Sequence, residues 1–140
     1  MKLKISSFLL ILALVLSLSS CIVTSKETHV DISCDDFREH PTSTRNDFTI
    51  GVGDKVFVEL CSNPTTGFKW LYEMKGDPAV KEEDYDYEEP DSDLAGAAGK
   101  ETWTFEGIEK GMTEITMEYN QPWDGGIKKE WVYHITITVE

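Results

Sequence analysis

The side chains of this chain that could do chemistry are three histidines, three cysteines and a dense run of carboxylates. His29, His40 and His134 lack the close spacing that metal ligands need. His134 sits between Tyr133 and Ile135, so strand alternation turns it toward solvent. No motif sets a histidine beside Cys34 or Cys61, and no Ser-His-Asp order, phosphate loop or pair of catalytic carboxylates stands out. From Glu82 to Asp93, eight of twelve residues are acidic, interleaved with Tyr85 and Tyr87. Clustered oxygens suit calcium, but the EF-hand pattern is missing. A solvated acidic edge strand is the better reading; it would discourage sheet-to-sheet pairing and could steer a basic partner. We therefore expect no enzyme, no metal site and no cofactor.

What remains is chemistry of contact, in three loops. Asn63-Pro64-Thr65-Thr66-Gly67-Phe68 is a stiff turn. Pro64 fixes its own φ and holds Asn63 extended, while Gly67 permits the positive φ that closes the turn. Such a loop loses little entropy on docking. Leu94-Ala95-Gly96-Ala97-Ala98-Gly99 is made of small residues, so a partner could approach its main chain closely. Gln121-Pro122-Trp123-Asp124-Gly125-Gly126 places a tryptophan in a turn, either folded back as a plug or offered to a partner. Each loop alone also reads as a plain connector.

The elements that must carry these loops alternate with period two. Val30 and Ile32 alternate, then Asp35–Asn46 reads as a polar loop containing Pro41, and Asp47–Ile50 resumes a strand. Val56, Val58 and Leu60 alternate, as do Phe68, Trp70 and Tyr72. Val80–Tyr87 reads as an edge strand. Trp103 and Phe105, then Ile115, Met117 and Tyr119, then Trp131, Tyr133, Ile135, Ile137 and Val139 complete the pattern. Turn residues separate the segments, at Gly51–Asp54, Gly76–Pro78, Gly107–Gly111 and Pro122–Gly126. This predicts an all-β chain with no helix: an immunoglobulin-like two-sheet β-sandwich of about seven or eight strands. Trp70, Trp103 and Trp131 are expected in the core. The three loops are assigned to the connections after the second, fourth and sixth strands, which share one end because alternate strands run the same way.

The first residues read as an address. Lys2 and Lys4 precede an apolar run from Phe8 to Leu16, far short of the roughly 20 residues a membrane span needs, so residues 1–20 read as a signal peptide. Leu18-Ser19-Ser20-Cys21 resembles the lipobox of prokaryotic lipoproteins. That resemblance implies cleavage before Cys21 and lipid on its thiol, hence an extracytoplasmic protein anchored to a prokaryotic membrane. Residues 21–28 would be a tether and 29–140 the folded domain, one domain by length. The chain from Cys21 onward carries 11 basic and 26 acidic residues, a net charge of −15 that repels nucleic acid. Outside the cytoplasm a disulfide between Cys34 and Cys61 becomes favourable. If Cys34 began one strand and Cys61 ended its antiparallel neighbour, the two would lie opposite each other, and the bridge would contribute roughly 3 kcal/mol.

Taken in order, Asn63–Phe68, Leu94–Gly99 ahead of Trp103, and Pro122-Trp123 resemble the chagasin-type inhibitors of papain-like cysteine peptidases, over roughly residues 30–140. The resemblance implies an immunoglobulin-like β-sandwich that inhibits reversibly, without covalent chemistry or cleavage; a monomer is expected. By that analogy Asn63, Pro64, Thr65, Thr66, Gly67 and Phe68 enter the active-site cleft, with Thr65 and Thr66 nearest the catalytic pair. Gly96, Ala97, Ala98 and Gly99 flank the cleft on one side, and Gln121, Pro122 and Trp123 on the other. The chain departs from the family where Gln121 replaces the usual arginine before Pro-Trp, where Ala97 and Ala98 replace glycines, and in a longer Asp35–Asn46 loop. The alternative reading is a surface lipoprotein whose immunoglobulin-like domain serves adhesion or envelope assembly and inhibits nothing.

Overall fold

The computed structural model describes residues 24–92, 94 and 96–140. Residues 1–20, read from sequence as a signal peptide, and Cys21 lie outside the described residues. Eight strands follow in order: β1 (Glu27–Ile32), β2 (Thr44–Ile50), β3 (Lys55–Ser62), β4 (Lys69–Gly76), β5 (Val80–Glu88), β6 (Gly99–Gly107), β7 (Gly111–Asn120) and β8 (Trp131–Val139). They form two four-stranded sheets, β1-β3-β6-β5 and β2-β8-β7-β4. The fold is an all-β, immunoglobulin-like sandwich. Neighbouring strands are antiparallel except that β1 runs parallel to β3 and β2 parallel to β8.

The period-two pattern places the core. Val56, Val58 and Leu60 face inward from β3, against Ile115 and Met117 of β7 and Ile135 and Ile137 of β8, all fully buried or nearly so. Each such side chain contributes roughly 1.5–3 kcal/mol by leaving water. Trp70 and Trp103 are buried as expected, and Trp131 is partly buried against the same core. β5 is the edge strand its charges predicted, with a bulge between Glu82 and Asp84.

Two expectations need correction. First, Asp35–Asn46 is not simply a loop. Cys34–Glu39 is a short helix, α1, and β2 already begins at Thr44. Ser33 caps α1: its hydroxyl accepts from the Asp36 N–H while the Asp36 carboxylate accepts from the Ser33 N–H. That reciprocal pair satisfies two groups a helix start leaves open. Phe37 is then turned fully inward, stacking on Trp131 with ring centroids 5.1 Å apart. Second, Cys34 and Cys61 are bridged, but not across antiparallel strands. β1 is parallel to β3, and the pair Ile32↔Leu60 brings the start of α1 beside the end of β3. The Cα atoms are 5.2 Å apart, an ordinary span for a disulfide. β1 also starts at Glu27, within the segment read as a tether.

Candidate functional site: one end of the sandwich

The three loops are the connections β3–β4, β5–β6 and β7–β8. They follow the third, fifth and seventh strands, one later than assigned from sequence, because 44–50 counts as a full strand. The reason they share an end is unchanged, since chain direction alternates from β3 to β8.

The central loop is wired to itself. Pro64–Thr66 forms a single 3-10 turn capped by Asn63, whose side-chain oxygen accepts from the Thr65 N–H at 3.2 Å and from its hydroxyl at 2.5 Å. The Thr66 N–H donates to the Asn63 carbonyl at 3.1 Å, and the Gly67 N–H donates to that of Pro64 at 3.0 Å. Gly67 takes the left-handed conformation at φ 78°, as the turn demanded. Pro64, Thr65 and Thr66 are exposed at the tip.

The root of this loop is planted in the core. The Asn63 N–H donates to the Tyr119 hydroxyl at 2.7 Å. Phe68 stacks on Tyr119 at 5.0 Å, Tyr119 on Trp131 at 4.8 Å, and Trp131 on Phe37. Each ring pair adds about 1 kcal/mol beyond its buried area. Asn63 and Phe68 thus hold the wedge, and only the residues between them are offered outward.

Both flanking loops bond to the central one. The Asn63 side-chain amide donates to the Gly96 carbonyl at 3.0 Å. The Gln121 amide donates to the Thr66 carbonyl at 3.2 Å, while its oxygen accepts from the Ile127 N–H at 3.0 Å. Trp123 is half exposed and lies against Gly67: a Cβ there would come within 2.4 Å of the ring. It is neither a buried plug nor a free flag, since one face supports the wedge and the rest is presented.

Gly99 does not belong with the presented residues. It is the first residue of β6 and is buried, with the Glu88 carbonyl 2.2 Å from where its Cβ would stand. Its lack of a side chain serves the approach of β5 to β6. Gly96, Ala97 and Ala98 remain at the surface.

Two contributors had gone unread. Lys128 donates to the Gln121 and Trp123 carbonyls at 2.5 and 3.0 Å, placing a cation behind the third loop. No spacing signal marks it. Glu101, on β6, is nearly fully buried, accepting from the Ser62 hydroxyl at 2.5 Å and the Tyr85 hydroxyl at 3.0 Å. Extending the Trp103/Phe105 alternation back by two would have put it inside. Burial and the Glu101 carboxylate push the Tyr85 hydroxyl up to about 12, keeping it a donor. Among the described residues, no three acidic, histidine or cysteine side chains converge to hold a metal ion.

The sandwich thus crowds three cross-bonded loops at one end. A family model for the chagasin family peptidase inhibitors, I42, matches residues 49–137. Chagasin of Trypanosoma cruzi is 36% identical over 81 residues, covering 55% of this chain and 74% of chagasin. The chain therefore belongs to the chagasin family of peptidase inhibitors, whose members are inhibitors and not enzymes. The fold is similar to that of the cysteine protease inhibitor EhICP2 from Entamoeba histolytica, with a TM-score of 0.64 and 17% identity, covering 84% of this chain and all of that one. It is also similar to PbICP-C, solved in complex with falcipain-2, with a TM-score of 0.54 and 14% identity over 83% of this chain and 100% of that one.

Proposed function

We propose that this protein is a reversible, non-covalent inhibitor of papain-like cysteine peptidases, blocking the active-site cleft with its three loops. The observation that carries the reading is the state of the wedge backbone. The carbonyls of Asn63, Pro64 and Thr66 each accept a hydrogen bond from within the protein. A substrate must offer an extended bond, with its carbonyl oxygen free for the donors that stabilise the oxyanion. A curled 3-10 turn, in which only the Thr65 carbonyl among those of Asn63 to Thr66 stays open, fills the cleft and offers no extended bond. Thr65 and Thr66 stand nearest the nucleophile, Gly96–Ala98 and Trp123 straddle the cleft, and the inhibitor acts as a monomer. A relative solved with a peptidase bound, PbICP-C with falcipain-2, supports the choice of partner.

The test is inhibition of papain by the chain from residue 22 onward, with recovery of activity on dilution and intact inhibitor by mass spectrometry. No inhibition at micromolar concentration, or cleavage within Asn63–Phe68, would sink the proposal.

We further propose that lipid on Cys21 holds the domain outside the cytoplasm of a prokaryotic cell, following the signal-like residues 1–20. Two lipid chains anchor stably where one does not. Cys21→Ala should shift the protein from the membrane to the soluble fraction, and an unchanged distribution refutes the anchor.

A further inference from the structure

A groove runs down the open side of the sandwich, between the free edges of β4 and β5. It encloses about 580 Å³ and is mostly apolar. Trp103 and Glu101 form its floor, and Tyr85 and Tyr87 its β5 wall. Its lower end is closed by the Tyr72 hydroxyl, which donates to the Glu82 carboxylate across the gap between the sheets. Its upper end opens at Phe68, at the root of the wedge, and at Pro64 on its tip.

The groove is lined by one cation, Lys69, and one anion, Glu101, and the two are not paired with each other. Glu101 is 6% exposed, yet its hydrogen-bond partners are two neutral hydroxyls, and it forms no ion pair among the described residues. A carboxylate buried without a cation is costly, and hydroxyl donors offset only part of that cost. Tyrosine and tryptophan faces beside a carboxylate are the surroundings that a guanidinium or ammonium seeks. The volume suits a long side chain together with a few residues of backbone. Among the described residues β4 and β5 are both sheet edges, so an extended chain lying in the groove can also pair with main-chain groups left open there.

We propose that this groove is a second binding site, taking an extended polypeptide segment that places an arginine or lysine side chain against Glu101. Aromatic rings hold the stem of that side chain, and Glu101 receives its charged head. Because the groove begins at Pro64 and Phe68, a partner seated on the loop end can reach it without any change in the sandwich. The inference does not depend on inhibition, since the groove and the wedge tip share only Pro64.

The probe is a capped pentapeptide alternating leucine and arginine, titrated calorimetrically into the full-length chain in detergent. Its control is the same peptide with citrulline for arginine, which keeps shape and loses charge. The arginine peptide should bind, the citrulline peptide about tenfold more weakly, and Glu101→Gln should remove that difference. Trp123→Ala should leave peptide binding unchanged. Should Glu101→Gln fail to fold, Tyr87→Ala, on the groove wall, should weaken the arginine peptide by a similar factor. No binding at millimolar concentration overturns the proposal. Equal binding of both peptides overturns it in favour of a neutral apolar strand, and a dimer that masks the groove does so in favour of a second copy.

Discussion

The two ends of the sandwich are built from similar parts and finish differently. At the end away from the loops, turns are tied by carboxylates: Asp54 accepts from the backbone N–H groups of Lys26 and Gly51 at 2.7 and 2.8 Å, and Asp77 from that of Met112 at 3.0 Å. At the loop end the connectors are the neutral amides of Asn63 and Gln121, joining one loop to the next. Exposed apolar area does not separate them, because Val52 and Met112 are about as bare as Trp123. What differs is bracing. The Cys34–Cys61 bridge ends two residues before Asn63, and the Phe37-Trp131-Tyr119-Phe68 stack runs up beneath the wedge. A surface that must bind without rearranging has to be stiff before it meets its partner.

The largest expected effect is on that bracing. Replacing Cys34 and Cys61 by serine should lower stability by about 3.5 kcal/mol for a bridge spanning 27 residues of sequence, read by urea unfolding. Amide exchange should quicken at Asn63–Gly67 more than at Gly51–Asp54. Equal quickening at both ends would dissolve the distinction drawn between them. Next is Trp123→Ala, expected to weaken papain inhibition by about tenfold or more, roughly 1.4 kcal/mol, with thermal stability nearly unchanged. An unchanged inhibition constant would make Trp123 a support for Gly67 alone.

Gly67→Ala should cost about 1 kcal/mol in stability, because the residue is left-handed and its new methyl would meet the Trp123 ring. Gln121→Ala should weaken inhibition by about threefold, in line with one net hydrogen bond. Gln121→Arg sharpens the point. If Gln121 acts as a tie between loops, arginine improves inhibition only by reaching the peptidase, and it does so while losing the bond from the Ile127 N–H, visible as faster exchange there.

Acid should produce the smallest effect, at Asp54 on the far end and at Asp36 in the α1 cap beside the loop end. The N–H groups of Lys26 and Gly51 hold the Asp54 carboxyl below its ordinary value. Bonds to Ser33 do the same for Asp36 in the α1 cap. A depressed folded value stabilises fully above the unfolded carboxylate range, near pH 4, and the stabilisation is lost as pH falls below it. The melting temperature should therefore drop between pH 6 and pH 3, with the Lys26 and Gly51 amides losing protection. The amides of Asn63 and Gln121 do not titrate, so the loop-to-loop bonds should survive the same change. Equal loss of protection in the wedge would contradict that.

Much was legible in the residues alone. Alternation in Val56–Leu60 and Ile115–Tyr119 marks strands and their inner faces, because side-chain period two is a property of any extended backbone. Pro64 and Gly67 set the turn through their own φ preferences, which no neighbour needs to supply. The order of the motifs carried the family. α1 was hidden because Asp35–Asn46 looks like any polar connector, and Ser33 caps it with Asp36 at a position more often held by glutamate.

Other features exist only once the sheets are packed. That β1 runs parallel to β3, and so brings Cys34 to Cys61, follows from pairing between segments distant in sequence. Gly99 changes from a loop glycine to a packing glycine because β5 crosses it. Trp123 supports the wedge because folding brings its ring onto Gly67, 56 positions earlier in the chain. Local sequence fixes dihedral angles and faces; which faces meet is decided by long-range contacts that no single segment encodes.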